Sequence, residues 1–136
     1  MLDILMGTAR AGLKTSPHPD LLVVLLPHPC NASFLFTDNY FRSGSVIYSE
    51  SVFRERDRIS AFVVNSGNAN CGTGEEGVEH ARLMARRVAE NLQLAPDEVL
   101  VFSTGVIGKP LPIDEVLRAL DQACSSLEPL DLARAS

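Results

Sequence analysis

The chain has 136 residues, 46% of them apolar, with a formal net charge of −5. That length accommodates one core and is short for two, so residues 1–136 are read as one domain. The negative charge, the absence of Trp and the presence of only two Tyr (Tyr40 and Tyr48) argue against nonspecific binding to nucleic acid or to an anionic membrane.

The opening M-L-D-I-L-M-G-T-A-R is apolar for only a few residues and lacks a basic start. It does not read as a signal peptide, and no run is long enough to cross a bilayer, so the expected compartment is the cytoplasm. Residues 12–20 (G-L-K-T-S-P-H-P-D) are turn-like, because Pro17 and Pro19 disfavour helix. The continuous apolar run 21–26 predicts a strand buried on both faces. Residues 27–31 (P-H-P-C-N) break it, and 32–36 (A-S-F-L-F) resume as an antiparallel neighbour. After a turn at 37–39, residues 40–41 and 46–48 suggest a further short strand region, and the mixed charges of 51–58 suggest a solvated helix or turn. His18 and His28 lie in Pro-rich turns, and His80 reads as a solvated helix residue.

Residues 59–64 then form the expected central strand, and residues 65–77 (N-S-G-N-A-N-C-G-T-G-E-E-G) form the loop that organises the chain. Gly67, Gly72 and Gly74 alternate with Asn65, Asn68 and Asn70. Gly permits positive φ, and Asn tolerates it better than most residues, so the loop is built for tight backbone geometry with inward polar groups. Gly67 and Gly72 have the spacing of a phosphate loop, but Thr73-Gly74 stands where Lys-Ser/Thr is required, and no G-x-G-x-x-G is present. The plainer alternative is a tightly packed loop that holds its neighbour through side-chain amides. Thr73 and Glu76 have capping-box spacing. A helix over 78–92 follows, with Val78, Ala81, Ala85, Val88 and Leu92 on its buried face.

Residues 99–102 are the next strand, and Ser103-Thr104-Gly105-Val106-Ile107-Gly108 leaves it. A Thr hydroxyl beside a Gly N–H at a strand end can form an oxyanion hole for acyl transfer. A tight turn with a capping Thr is the competing reading. Neither a Ser-His-Asp set nor paired carboxylates accompany it, and Cys71 has no His in either loop to activate it. Cys30, Cys71 and Cys124 are widely spaced without C-x-x-C, which gives neither a disulfide framework nor a zinc site. Pro110 and Pro112 lead into a second helix with Ile113, Val116, Leu117, Leu120, Cys124 and Leu127 buried, stopped by Pro129. Residues 130–136 begin a segment they do not finish. Strands first, then strand–helix–strand–helix, predict an α/β fold: a mixed sheet with helices packed on one face and the other face uncovered.

V-V-N-S-G-N-A-N-C-G-T-G-E-E-G (63–77) and F-S-T-G-V-I-G-K-P-L-P (102–112) closely resemble the ornithine acetyltransferase family, the glutamate N-acetyltransferases of arginine biosynthesis. A-G-L-K-T-S-P-H-P-D-L (11–21) and F-L-F-T-D-N-Y-F-R-S-G-S-V (34–46) resemble that family's opening and its F-T-x-N region. The resemblance runs from about Ala11 to the end, in order. It implies the family's layered α/β sandwich, completed by a second chain. Family members are one precursor that cleaves itself before a Thr. This stretch would be the N-terminal, α-chain portion, and the new N-terminal Thr of the β chain would be the nucleophile. That Thr takes the acetyl group from N-acetylornithine and passes it to glutamate, and acetyl-CoA is left open as a further donor.

The resemblance carries the oxyanion-hole role onto Thr104 and Gly105. It implies an αβ hetero-oligomer, a heterotetramer; no cofactor or metal is expected, and the composition already argues against nucleic acid and membrane as partners. Family α chains continue through a Thr-Thr-Asp stretch and a substrate-binding Lys, so the expectation is an α chain truncated near Ser136, inactive alone, with its substrate contacts unassigned. Cys71 stands where the family often has Ala. The alternative is a non-catalytic truncated relative that binds a small amino-acid ligand or a partner subunit.

Overall fold

The computed structural model describes residues 3–130. Its strands are β1 (Leu5–Ala9), β2 (Leu21–Asn31), β3 (Arg58–Asn68), β4 (Val99–Val106) and the two-residue β5 (Glu128–Pro129). Its helices are α1 (Gly44–Glu55), α2 (Glu75–Leu92) and α3 (Ile113–Ser125), with a 3-10 turn at Pro96–Glu98 ahead of β4. The five strands form one sheet in the order β4-β3-β2-β1-β5. β3 and β4, linked through α2, are parallel, and the other pairings are antiparallel.

The mixed α/β class is as expected, but the first half of the chain is wired differently. β1 was not anticipated, and it takes the place beside β2 that residues 32–36 were expected to fill. β2 does not stop at Pro27. Its register shifts between Leu25 and Cys30, and the two prolines sit in that irregular stretch, where a missing N–H is tolerated. Residues 32–36 carry no ladder, although Ala32 N–H donates to Asp57 O at 3.0 Å. β2, not β3, is therefore the middle strand.

The strand expected around 46–48 is instead α1. Ser43 caps it, its hydroxyl accepting from Val46 N–H at 3.2 Å. Ser45, Tyr48, Ser49 and Val52 are buried at helical spacing, so two serines occupy positions where an apolar residue would have revealed the period. α3 ends at Ser125, before Leu127, and Pro129 belongs to β5. Residues 131–136, where the last unfinished segment was read, lie outside the described residues.

Alternation along the strands divides the sheet into two faces. Val23, Ala61, Val63, Val99 and Val101 are fully buried, or within 1% of it, beneath the helices. They meet Ala81, Met84, Ala85 and Val88 of α2 and Val116, Leu120 and Ala123 of α3. α2 lies between α1 and α3, which makes the helices one layer. On the opposite face Phe62 and Phe102 pack edge to face, and Phe102 remains exposed.

Candidate active site at the ends of β3 and β4

The parallel ends of β3 and β4 bring the two sequence motifs side by side. Asn65 pairs with Ser103, Ser66 with Thr104 and Gly67 with Gly105. β4 continues through Val106, so Thr104 and Gly105 belong to a strand end and not, as the sequence suggested, to a loop. Both are exposed.

Three backbone segments stack here, and glycine makes the stacking possible. Gly105 has φ +132°, and a Cβ there would lie 2.3 Å from the Gly67 carbonyl carbon. Gly67 has φ +109°, and a Cβ there would lie 2.9 Å from Leu13 O. The turn containing Leu13 is fixed by Asp20. That buried carboxylate accepts from the N–H groups of Ala11 (2.6 Å), Leu13 (2.7 Å) and Lys14 (3.3 Å). Asp20 was not singled out in the sequence. Its signal was an acid closing a Gly/Pro-rich turn, which many surface turns share.

The strand geometry also orients the backbone at Thr104 and Gly105. β4 is an edge strand, and its outer side is partly covered by α1: Val101 N–H donates to Ser49 Oγ (3.1 Å), and Ser49 Oγ–H donates to Val101 O (2.9 Å). Backbone groups alternate between the two sides of a strand, so the N–H of Gly105 shares that outer side, away from β3. Val106 O points the other way and accepts from Ala69 N–H at 2.9 Å. Thr104 alternates with Ser103 and so projects from the face opposite the helices. Thr104 and Gly105 thus stand next to each other at the exposed end of the edge strand.

The Asn/Gly loop behaves as the plainer reading expected. Asn65, Asn68 and Asn70 are buried, and Asn70 has φ +49°. Asn68 Nδ2 donates to Lys109 O (3.0 Å) and Pro110 O (3.3 Å), which holds the segment after β4. The expected capping box is absent. Gly74 is the N-cap of α2 and makes no side-chain cap bond, so Gly77, not Glu76, occupies the third helical position. His80 is buried rather than solvated, because α2 is enclosed by both neighbouring helices and the sheet. Its Nε2 lies 3.7 Å from Glu76 Oε1. Cys71 is buried, and burial raises the Cys124 thiol to about 11. Among the described residues no group of three or more His, Cys, Asp or Glu could hold a metal ion, and no helix is long and apolar enough to cross a membrane.

A five-stranded mixed sheet with one layer of helices, its two motifs brought together at the ends of the parallel strands, defines an α/β chain. The ArgJ family model matches residues 5–136, and the chain belongs to the ArgJ family. The arginine biosynthesis bifunctional protein ArgJ of Aquifex aeolicus is 66% identical over the whole chain, which spans 36% of that relative. The glutamate N-acetyltransferase of Methanothermobacter thermautotrophicus is 47% identical over 90% of the chain and 30% of its own length. The chain therefore spans about a third of the length of these relatives. Among solved structures, ornithine acetyltransferase of Mycobacterium tuberculosis in complex with ornithine superposes with a TM-score of 0.85 at 30% identity, covering 93% of this chain and 68% of that one. ArgJ of Bacillus halodurans gives 0.83 at 28% identity, covering 88% and 62%.

Proposed function

We propose that this chain is the oxyanion-binding part of a glutamate N-acetyltransferase of arginine biosynthesis, completed by a β chain from the same precursor. The N-terminal Thr of the β chain attacks the acetyl carbonyl of N-acetylornithine, forming a C–O bond. The carbonyl oxygen becomes an oxyanion and accepts from the Thr104 hydroxyl and the Gly105 N–H. Collapse breaks the C–N bond, and ornithine leaves with a proton on its amine. The glutamate amine then attacks the acetyl-threonine, the same two donors hold the second oxyanion, and collapse breaks the C–O bond, the amine's proton returning to the threonine oxygen as N-acetylglutamate leaves. Donors fixed before the charge develops need no reorganisation during reaction, which is what makes them effective.

The observation that carries this reading is the strand end itself. Gly67 and Gly105, paired in register at positive φ, let β3, β4 and the Leu13 turn stack too closely for a Cβ, next to the exposed Thr104. The family membership and the names of the relatives support the reaction class. In the assembled enzyme Thr104→Ala is expected to lower kcat by on the order of 10²–10³, the usual effect of removing one oxyanion donor. Folding should be retained, because the Thr104 side chain is exposed. An unchanged kcat in Thr104→Ala would refute the oxyanion role.

A further inference from the structure

One register step before Thr104 lies a chain of hydrogen bonds with one proton direction, buried at Asn65, Asn70 and Ser45 and half-buried at Ser103. Asn70 Nδ2 donates to Gly77 O at 2.7 Å and to Ser45 Oγ at 3.3 Å. Ser103 Oγ–H donates to Asn65 Oδ1 at 2.5 Å. A serine has one hydroxyl proton, so across the 2.6 Å contact between Ser45 and Ser103 the donor is Ser45. The chain therefore runs from Asn70 through Ser45 and Ser103 to Asn65. Asn65 is held from its other end, Nδ2 donating to Asn68 O at 2.7 Å, and Asn70 N–H donates to Asn68 Oδ1 at 2.8 Å.

Its position is what gives this network a role. Asn65 and Ser103 are register partners, one step before Ser66 and Thr104 and two before Gly67 and Gly105. The glycine pair has no side chains with which to lock the strand ends together. Ser103, on the opposite side of β4 from Thr104, supplies the last side-chain tie before the donors. The tie reaches the start of α1 through Ser45 and the start of α2 through Asn70, so both helices share in fixing the β4 terminus.

We propose that Ser103 and Asn65 are positioning residues of the acetyltransferase: their half-buried hydrogen bond sets where the Thr104 hydroxyl and Gly105 N–H stand. This rests on the oxyanion reading of Thr104 and Gly105. A group that positions donors for a developing charge affects the reacting state more than the bound substrate, so its loss lowers kcat and leaves KM nearly unchanged.

The test compares two variants of equal shape in the assembled enzyme, Ser103→Thr and Ser103→Val. Ser103 lines a cavity of about 310 Å³, with Phe34, Phe36, Val46 and Phe102 among its walls, so the added methyl has room. Ser103→Thr keeps the hydroxyl and is expected to retain kcat within about twofold. Ser103→Val lacks it and is expected to lose about tenfold in kcat, because a small displacement of catalytic groups is costly. KM for N-acetylornithine should stay within about twofold of wild type. Ser45→Ala, which removes the next donor, is expected to lower kcat about threefold and serves as the deciding variant if Ser103→Val does not fold. Equal kcat in Ser103→Val and Ser103→Thr, or an unchanged Ser45→Ala if Ser103→Val is lost, would overturn the positioning role while a crippled Thr104→Ala left the oxyanion reading intact. A fully active Thr104→Ala would overturn both.

Discussion

A methyl group at position 105 would sit 2.3 Å from the Gly67 carbonyl carbon and 2.5 Å from the Asn68 nitrogen. Those are backbone atoms of β3 and cannot swing aside, and the φ of +132° is itself strained for any residue with a Cβ. Gly105→Ala is therefore expected to destabilise the protein by about 1–3 kcal/mol. It should also lower kcat by at least as much as Thr104→Ala, because it displaces both donors. Denaturant midpoints and steady-state kinetics on the same preparations check the two halves separately. At this scale the sequence was informative where chemistry is local. Gly105 and the alternating Asn/Gly loop stood out because positive φ and polar satisfaction restrict which residues can serve, whereas Thr104 offered both a capping turn and an oxyanion reading and was assigned the latter by resemblance. Asp20 and Ser103 did not stand out, because their importance comes from the backbone and side chains brought to them by folding. His80 was misplaced for a related reason: Gly77, His80 and Met84 form a second buried row on α2 beside Ala81, Ala85 and Val88.

Elements were legible where their apolar period was unbroken. α2, α3, β3 and β4 follow from that pattern, and the missed elements each hid it. α1 buries two serines whose hydroxyls are satisfied by β4 and the neighbouring loop, and β1 is only five residues long. α1 is also fastened to the 3-10 turn ahead of β4 by Tyr48, whose hydroxyl donates to Pro96 O at 3.0 Å. Burial raises the Tyr48 phenol from its usual 10.0 to about 12, opposed by the nearby Arg82 charge and reinforced by Asp97. The unfolded chain would release this proton near pH 10.0, while the folded protein keeps it to about pH 12. Between those values the folded state binds more protons, so stability falls as pH rises. The Tyr48 contribution is thus fully present below pH 10 and is lost towards pH 12. Tyr48→Phe removes the hydrogen bond, at about 1 kcal/mol near neutrality, and should flatten the alkaline limb. Urea unfolding of both proteins from pH 8 upward checks this. Curves that stay parallel would show that the phenol ionises no differently in the fold.

The whole molecule leaves Thr104 and Gly105 at an apolar corner. Phe102, Val106 and Ile107 flank Thr104 and Gly105 along the chain and are all exposed, as is Phe41, which packs near Gly72. Exposed apolar surface around a polar pair is what a contact region looks like before its partner is in place. The single helical layer was anticipated, but the opposite face is not bare throughout: Met6, Val24 and Leu100 on it are buried, and the exposure is concentrated at the end of β4. In the proposed assembly the β chain supplies both the cover and the nucleophile, and neither half suffices alone. Isolated from any partner, this chain should transfer no acetyl group from N-acetylornithine to glutamate. Intact mass spectrometry of the natively purified protein should find, beside the α species, a larger chain whose first residue is Thr. An oxyanion hole without a nucleophile can stabilise a transition state that nothing generates, so the expected activity of the isolated 14.7 kDa chain is zero rather than merely reduced. Robust turnover by that chain alone would place the nucleophile within these residues and overturn the two-chain mechanism.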